Sequence, residues 1–251
     1  MWQTEFFEKS KSPPTREKHS VLRAALGDWL ARAPAGPRVI FDGFAGAGRF
    51  AAPPGAPVED GLGSPLLLLR WSENAPGPLR FVFAEKSPVN HALLRDALGA
   101  AAAGREVELH RATFAAYVPA VTTTAPAGAL FSFVDPYGCE GVTHAALCAL
   151  AACGDLVFHL ATHRVYAKLV TASGASPRQA RRMDALLGEV VPWAELRAQA
   201  RDAGAAGVLA LLPALVARGL ARAVPGTTAQ VIALRDGRSH LVHARHRGGL
   251  V

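Results

Sequence analysis

The sequence predicts an α/β fold: a mostly parallel sheet of seven strands with an antiparallel hairpin at its C-terminal end. Three observations predict it. Short apolar runs alternate with segments of helical periodicity, which is typical of a parallel sheet with helices on both faces. A glycine-rich turn follows the first apolar run, at Asp42. The last two apolar runs flank Asp236-Gly237, a dipeptide typical of hairpin turns.

Length and composition indicate one large domain. The chain has 251 residues, and half of them are apolar, which is enough for a single core. We expect an N-terminal arm over residues 1–17 and one domain over residues 18–251. The arm is polar, and Ser12-Pro13-Pro14-Thr15 is expected to prevent a helix there.

The charge and the cysteines limit the function classes. The net charge is +7 and the pI about 9.8, which favours an anionic partner, although arginines on a solvated surface explain the same balance. No apolar run is long enough to cross a bilayer, and the N-terminus lacks the apolar segment of a secretory signal. Three cysteines are too few for a disulfide framework or a zinc knuckle, so we expect the reducing cytoplasm.

Each element is predicted from its own pattern. A helix with one apolar face is expected from about Lys18 to Leu30. Ser64 and Ser87, each followed by proline, are expected to cap the next two helices. In the second of these, we expect Val89, Leu93, Leu94, Ala97 and Leu98 to face inward. The predicted strands are 38–42, 79–84, 106–110, 129–134, 156–160, 229–234 and 240–244, and the later helices are 144–152, 177–187, 193–203 and 209–223.

The glycine turn is the candidate binding site. Gly43, Gly46 and Gly48 lack a Cβ, so the backbone can take positive φ and let a ligand lie against its amides. The D-x-x-x-G-x-G spacing differs from the G-x-G-x-x-G of nicotinamide enzymes and favours a ligand without a pyrophosphate. S-adenosylmethionine (SAM) is such a ligand, because its amino and carboxylate groups need close backbone contact. A turn whose glycines serve only tight packing is the alternative.

Several motifs in order resemble a known family. They are Lys18-His19-x-x-Leu22, Asp42-Gly43-Phe44-Ala45-Gly46-Ala47-Gly48-Arg49, Gly63-Ser64-Pro65, Phe83-Ala84-Glu85-Lys86 and Phe133-Val134-Asp135-Pro136-Tyr137-Gly138. The chain resembles the three-Cys-motif partner (TcmP) family of SAM-dependent methyltransferase-like proteins. It is more distantly similar to the RlmJ-type 23S rRNA adenine-N6 methyltransferases. The family name refers to the cysteines of a neighbouring protein.

The resemblance implies a Rossmann-like class I methyltransferase fold that binds SAM over the first strand. It also implies that Glu85, beside Lys86, accepts hydrogen bonds from both ribose hydroxyls. Ser64 would present a helix N-terminus to the SAM carboxylate. The alternatives are that Glu85 only caps the Ser87 helix or pairs with Lys86, and that Ser64 only caps its own helix. The residues implied to hold the methionine moiety lie in the turn: Asp42, Gly43, Phe44, Ala45, Gly46 and Gly48.

The adenine contact departs from the usual pattern of this fold. Many members carry an acid after the third strand, whereas this chain has Arg111-Ala112-Thr113-Phe114. We expect Thr113 to offer one hydrogen bond and Phe114 to offer a packing surface.

Asp135-Pro136-Tyr137-Gly138 is the candidate catalytic segment. Methyltransferases that act on base amino groups use an acid, two prolines and an aromatic: the acid or a proline carbonyl accepts the amino protons, and the aromatic stacks on the base. Asp135 and Pro136 match that pattern, but Tyr137 comes one place early. An ordinary surface turn is the alternative.

Further polar residues are weaker candidates. Lys18 and His19 could bind phosphate or take a proton, or form a solvated pair at a helix start. His159 and His163 could line the pocket or be satisfied core residues. The spacing of His240, His243 and His246 on a strand does not favour a metal site. Three arginines on one helical face are the candidate phosphate contacts: Arg178, Arg181 and Arg182.

The sequence therefore predicts a SAM-dependent methyltransferase that acts on a nitrogen, with a nucleobase in RNA or DNA as the first choice. A second hypothesis keeps the enzyme but gives it a small metabolite or peptide as substrate, with the loop 51–63 as a lid. A third hypothesis is a non-catalytic, methyltransferase-like module that binds a protein partner.

Overall fold

The computed structural model describes residues 10–138, 141–163, 177–187, 207 and 210–246, with the backbone alone at 177–180. The chain divides into two compact units, Met1–Phe133 and Val134–Val251. Within the described residues, no helix is both long and apolar enough to cross a membrane.

The first unit is built on parallel strands. These are β1 (Arg38–Asp42), β2 (Leu79–Ala84), β3 (Glu106–His110) and β4 (Leu130–Val134), in the order β3-β2-β1-β4. Every residue of β1 and β4 is buried, as expected for central strands of a sheet covered on both faces. β3 lies at the edge of the sheet.

Four α-helices belong to this unit: α1 (Pro13–Arg32), α2 (Ser64–Trp71), α3 (Pro88–Leu98) and α4 (Phe114–Thr124). Two short 3₁₀ helices, Val58–Gly61 and Gly99–Ala102, lie in the connections. The buried indole of Trp29 in α1 packs against Phe131 of β4, with ring centroids 5.6 Å apart.

The start of α1 corrects the sequence prediction. Ser12-Pro13-Pro14-Thr15 does not prevent a helix; it begins one. The Ser12 side chain accepts a hydrogen bond from the Thr15 amide, and the prolines occupy the first turn, where no amide donor is needed. The helix thus includes residues 13–17, which the sequence pattern had assigned to the arm.

Two details of α2 and α3 also differ from the prediction. The N-cap of α2 is Gly63, without a side-chain cap, so Ser64 is the first helical residue and not the cap. Ser87 does cap α3, as predicted. Leu94 and Leu98 face the core, but Val89 and Leu93 are exposed by 48% and 43%, because the buried face of α3 is narrower than its apolar content suggested.

The second unit combines helices with an antiparallel hairpin. It contains α5 (His144–Cys153), β5 (Gly154–Leu160), α6 (Pro177–Leu187), the helical residues 210–223 (α7), β6 (Thr227–Ala233) and β7 (His240–His246). β7 pairs antiparallel with both β5 and β6. Asp236 Oδ1 accepts hydrogen bonds from the amides of Arg238 and Ser239, and Gly237 has φ +60°. The helix predicted over 193–203 lies outside the described residues.

The predicted fold class is confirmed. Seven strands form a mixed sheet, four of them parallel in the first unit, with the antiparallel hairpin at the C-terminal end. This is a Rossmann-like α/β fold, in which ligands bind beyond the carboxyl ends of the strands.

Candidate functional site

The carboxyl ends of three parallel strands lie side by side at the glycine turn. Asp42, the last residue of β1, is in register with Phe83 of β2 and with Phe133 of β4. The residues that follow β1 and β2 therefore emerge at one edge of the sheet. These are the glycine turn after β1 and Glu85 after β2.

The amides of the turn are used by the protein itself. Gly43 N donates to Phe133 O, Phe44 N to Asp42 Oδ1, Ala45 N to Ala84 O and Gly46 N to Glu85 Oε2, at 2.9 to 3.1 Å. The glycine pattern of the sequence predicts that a ligand lies against these amides. Since all four already donate within the chain, a ligand would instead contact the face of the turn that lacks side chains.

The glycines of the turn have different roles. A Cβ at Gly43 would lie 2.4 Å from Cδ2 of Phe114, and one at Gly48 would lie 2.7 Å from Cδ1 of Leu94. A Cβ at Gly63 would meet the backbone of Gly48 at 2.8 Å. At these three positions glycine is required because other parts of the chain pack closely against the backbone, which is the packing role that the sequence analysis held as the alternative.

Gly46 is different. Its φ is +63°, and no heavy atom lies within 4 Å of the place where a Cβ would be. The residue is partly exposed, whereas its neighbours Ala45 and Ala47 are buried. Gly46 therefore leaves a bare, open face at the end of β1, which is the feature that a bound ligand needs.

Glu85 holds this face in place. The residue is 8% exposed, and its two carboxylate oxygens accept from different amides: Oε2 from Gly46 at 2.9 Å and Oε1 from Ser87, the N-cap residue of α3, at 2.7 Å. The contact with Ser87 matches the capping role that was held as an alternative. A carboxylate has about four acceptor positions, so two remain for further donors.

Phe114 does not lie where an adenine could stack on it. The ring is 3% exposed and packs against Gly43, between Phe41 and Phe44. Phe44, whose centroid is 5.2 Å from that of Phe114, is the partly exposed member of this stack. Thr113 is the N-cap of α4 and accepts a hydrogen bond from the Ala116 amide. Phe44 is thus the better candidate for an aromatic contact with a ligand.

The remaining cofactor candidates lie around this edge. Ser64 is the first residue of α2, and its preceding Gly63 amide donates to Gly48 O at 2.7 Å. This bond fixes the start of α2 directly beside the glycine turn. Lys86 is exposed.

Lys18 and His19 are not a solvated pair. They lie in the second turn of α1 and are 9% and 6% exposed. His19 makes an edge contact with Phe50, with centroids 6.3 Å apart. The expectation of a solvated pair at the helix start is corrected, because α1 begins earlier and turns both side chains inward.

In the second unit, Asp135 is paired with a histidine. His159 Nδ1 lies 2.6 Å from Asp135 Oδ1, and the two side chains are 13% and 22% exposed. When the Asp135 carboxylate is ionised it only accepts hydrogen bonds, and Nδ1–H of His159 is then the donor of this bond. The sequence makes His159 a candidate pocket residue, but it does not indicate that His159 is the partner of Asp135. The one feature of the sequence that could have indicated this pair is the position of His159 near the end of β5, the strand that follows Asp135.

Tyr137 and Pro136 differ in environment. Tyr137 is 70% exposed, an unusual value for a large aromatic, whereas Pro136 is buried. A tyrosine ring open to solvent beside an acid offers a stacking surface. His163, the other histidine that the sequence offers as a pocket residue, is hydrogen-bonded through Nδ1 to the backbone carbonyl of Arg238.

Arg181 and Arg182 lie in α6, and the side chain of Arg178 is outside what the structure describes. In the part of the chain that is described, no group of three or more histidine, cysteine or acidic side chains is placed to hold a metal ion.

Comparisons with known proteins do not place the chain in a family. No family model matches the chain, and no curated protein sequence matches it. Among solved structures, precorrin-6y C5,15-methyltransferase from Geobacter metallireducens is 14% identical with a TM-score of 0.48, over 97% of this chain and 96% of that one. An rRNA methylase from Streptococcus thermophilus is 11% identical with a TM-score of 0.46, over 94% and 97%. At such TM-scores these similarities do not identify a function, and membership of the TcmP family stays a prediction.

Proposed function

We propose that the chain is a SAM-dependent methyltransferase that methylates a nitrogen, with a nucleobase of RNA or DNA as the acceptor. The observation that carries the proposal is the open face of Gly46, at positive φ, at the carboxyl end of β1 and held by the acid that follows β2. Unlike Gly43 and Gly48 of the same turn, Gly46 has no heavy atom of the chain packed at its Cβ position.

The residues at this edge fit the chemical groups of SAM. The bare face of Gly46 and the neighbouring turn residues Asp42, Phe44 and Ala45 would hold the methionine moiety. The remaining acceptor positions of Glu85 suit ribose hydroxyls. The start of α2 at Ser64 suits a carboxylate, because the first amides of a helix point outward and carry partial positive charge. When bound, SAM would supply an electrophilic methyl group on its sulfonium.

Asp135 and Tyr137 would act on the acceptor. Transfer forms an N–CH₃ bond, breaks the S–CH₃ bond and leaves the acceptor nitrogen with a proton to lose. Asp135 would accept a hydrogen bond from the amino group of the acceptor, which orients the nitrogen lone pair, and would take up the proton that the methylated nitrogen loses. His159, bonded to Asp135 Oδ1, would keep the carboxylate oriented. The exposed ring of Tyr137 would stack on the base.

The proposal is tested by methyl transfer from tritiated SAM to RNA and DNA from cells that lack this gene, followed by identification of the labelled nucleoside. We expect label in a nitrogen-methylated base. Asp135→Ala is expected to keep SAM affinity and to stop transfer, whereas His163→Gln, at a histidine bonded to a backbone carbonyl, should transfer normally.

Other results would decide between the alternatives. Transfer to small molecules or peptides of a cell extract, with none to RNA or DNA, would overturn the nucleobase assignment. SAM binding without transfer to any fraction would favour the non-catalytic module. Unchanged transfer by Asp135→Ala would remove Asp135 from the mechanism.

A further inference from the structure

A cavity outside the glycine turn lies between the start of α1, the 3₁₀ helix Val58–Gly61 and α2. It has a volume of about 210 Å³. Its lining carries three cations, two carboxylates, a histidine and a hydroxyl, with an apolar floor: Lys11, Arg16, Arg23, Glu59, Asp60, His19, Ser20, Leu67 and Trp71. Three cations against two carboxylates leave a surplus positive charge when His19 is neutral.

The two carboxylates are already engaged. Asp60 takes two parallel hydrogen bonds from Arg16, at 3.1 and 3.2 Å, and this arginine holds the pKa of Asp60 below its ordinary value. Glu59 Oε1 accepts from Nε1 of Trp71 at 3.0 Å and lies 3.6 Å from Arg23. Neither acid therefore has Lys11 as its hydrogen-bonded partner.

The surplus positive charge of the cavity lining belongs to the ammonium group of Lys11. The residue is 4% exposed, its ammonium donates to the backbone carbonyl of Glu59, and it lies 5.5 Å from the ring centroid of Phe50. A buried ammonium whose hydrogen bond goes to a carbonyl and not to a carboxylate is under-compensated. Burial lowers the pKa of Lys11 to about 8, against the opposing attraction of Asp60 and Glu59 and with a smaller repulsion from Arg16.

We propose that this cavity binds a phosphate group, either free or in a nucleic-acid backbone. A phosphate would supply the negative charge that the lining lacks, and the ammonium, guanidinium and hydroxyl donors of Lys11, Arg23 and Ser20 match its oxygens. The volume admits one phosphate group and its water. The site is separate from the glycine turn and does not depend on SAM binding.

The proposal links phosphate binding to the protonation of Lys11. Phosphate binds the ammonium form better than the neutral amine, so bound phosphate must raise the pKa of Lys11, and affinity must fall as pH rises through about 8.

The test is a pH titration of protein labelled with ¹³C-lysine, in which the chain's five lysines give few signals. Lys11→Met identifies the Lys11 signal and retains the stem beside Phe50. We expect 20 mM inorganic phosphate, compared with chloride at equal ionic strength, to raise the pKa of Lys11 by at least about half a unit. An unchanged pKa would overturn the proposal.

A binding assay completes the test. Phosphate affinity should fall at least about fivefold in Lys11→Met and stay unchanged in Arg95→Met, which removes an exposed cation of α3. An equal loss of phosphate affinity in both variants, or no loss in either, would overturn the proposed phosphate site. If a 12-nucleotide RNA competes with phosphate for Lys11, the source is a nucleic-acid backbone; if it does not, the ligand is a free phosphate. SAM binding, measured separately, is expected to be the same in both variants, so failure here leaves the proposed methyltransferase function standing.

Discussion

Gly43 and Gly46 lie three residues apart in one turn and meet different surroundings. The Cβ position of Gly43 is occupied by Phe114, whereas that of Gly46 is open. At the scale of single residues, packing requires glycine at position 43, whereas the Cβ position of Gly46 is free for the ligand that we propose.

Substitution of each glycine by alanine should affect stability and SAM affinity differently at the two positions. Gly43→Ala forces the Phe114 ring to move and is expected to destabilise the fold by about 1–3 kcal/mol. Gly46→Ala meets no atom but must adopt positive φ, at a cost of about 1–2 kcal/mol. Urea unfolding measures both. In the folded fraction, SAM affinity should fall clearly for Gly46→Ala and little for Gly43→Ala; the reverse order would contradict the assigned roles.

Glu85 joins the turn to α3 through two backbone amides. Glu85→Gln replaces one acceptor oxygen by an NH₂ group that faces a backbone N–H, so we expect a loss of about 1–3 kcal/mol in stability. SAM affinity should fall as well, because one ribose acceptor is lost. Urea unfolding and calorimetry check the two effects. A variant with wild-type stability would contradict the described network.

At the scale of elements, two serines that precede or begin helices allow a matched comparison. Ser12 caps α1 through the Thr15 amide, whereas Ser64 makes no cap hydrogen bond in α2. Ser12→Ala is expected to cost about 1 kcal/mol of unfolding free energy. Ser64→Ala should stay within about 0.5 kcal/mol. Equal losses in urea unfolding would contradict this assignment of caps.

The C-terminal hairpin carries a pH-sensitive contact. Nδ1 of His240 lies 2.8 Å from Oγ1 of the buried Thr162, and burial lowers the pKa of His240, against a weaker opposing effect of Asp236. The unfolded chain then binds a proton more readily than the folded one, so stability falls as pH drops below about 6.5. His240→Asn should lose less stability between pH 7 and 5 than the wild type; thermal unfolding at each pH checks this, and equal losses would contradict it.

Local sequence patterns predicted where the strands and helices lie, but they did not predict which side chains contact one another. All seven strands followed from apolar runs, and the hairpin from Asp236-Gly237. The prediction that Ser12-Pro13-Pro14 prevents a helix was wrong, because proline is common both after the end of a helix and in its first turn. The pair of Asp135 and His159 spans 24 positions of sequence, so it depends on how two strands are placed. The packing role of Gly43 depends on Phe114, which lies about 70 residues away in the sequence and which no local pattern reveals.

At the scale of the whole molecule, the net charge of +7 suggests a test of the nucleic-acid hypothesis: the dependence of RNA affinity on salt concentration. If Arg178, Arg181 and Arg182 contact three phosphates of a single strand, affinity should fall about 20-fold between 50 and 200 mM salt. Filter binding with RNA measures the slope, and replacing Arg181 and Arg182 by alanine should reduce it. No RNA binding at 50 mM salt would count against the nucleobase hypothesis.

Calorimetry with SAM tests the central claim most directly, when the wild type is compared with Gly46→Val and Gly55→Val. Gly55 also has positive φ and open space at its Cβ position but lies on the loop after the turn, so it controls for backbone strain. We expect the wild type and Gly55→Val to bind SAM, and Gly46→Val to show no binding at about 1 mM ligand. If the wild type fails to bind SAM, or Gly46→Val binds it as tightly as the wild type, the open face of the turn is not a SAM site.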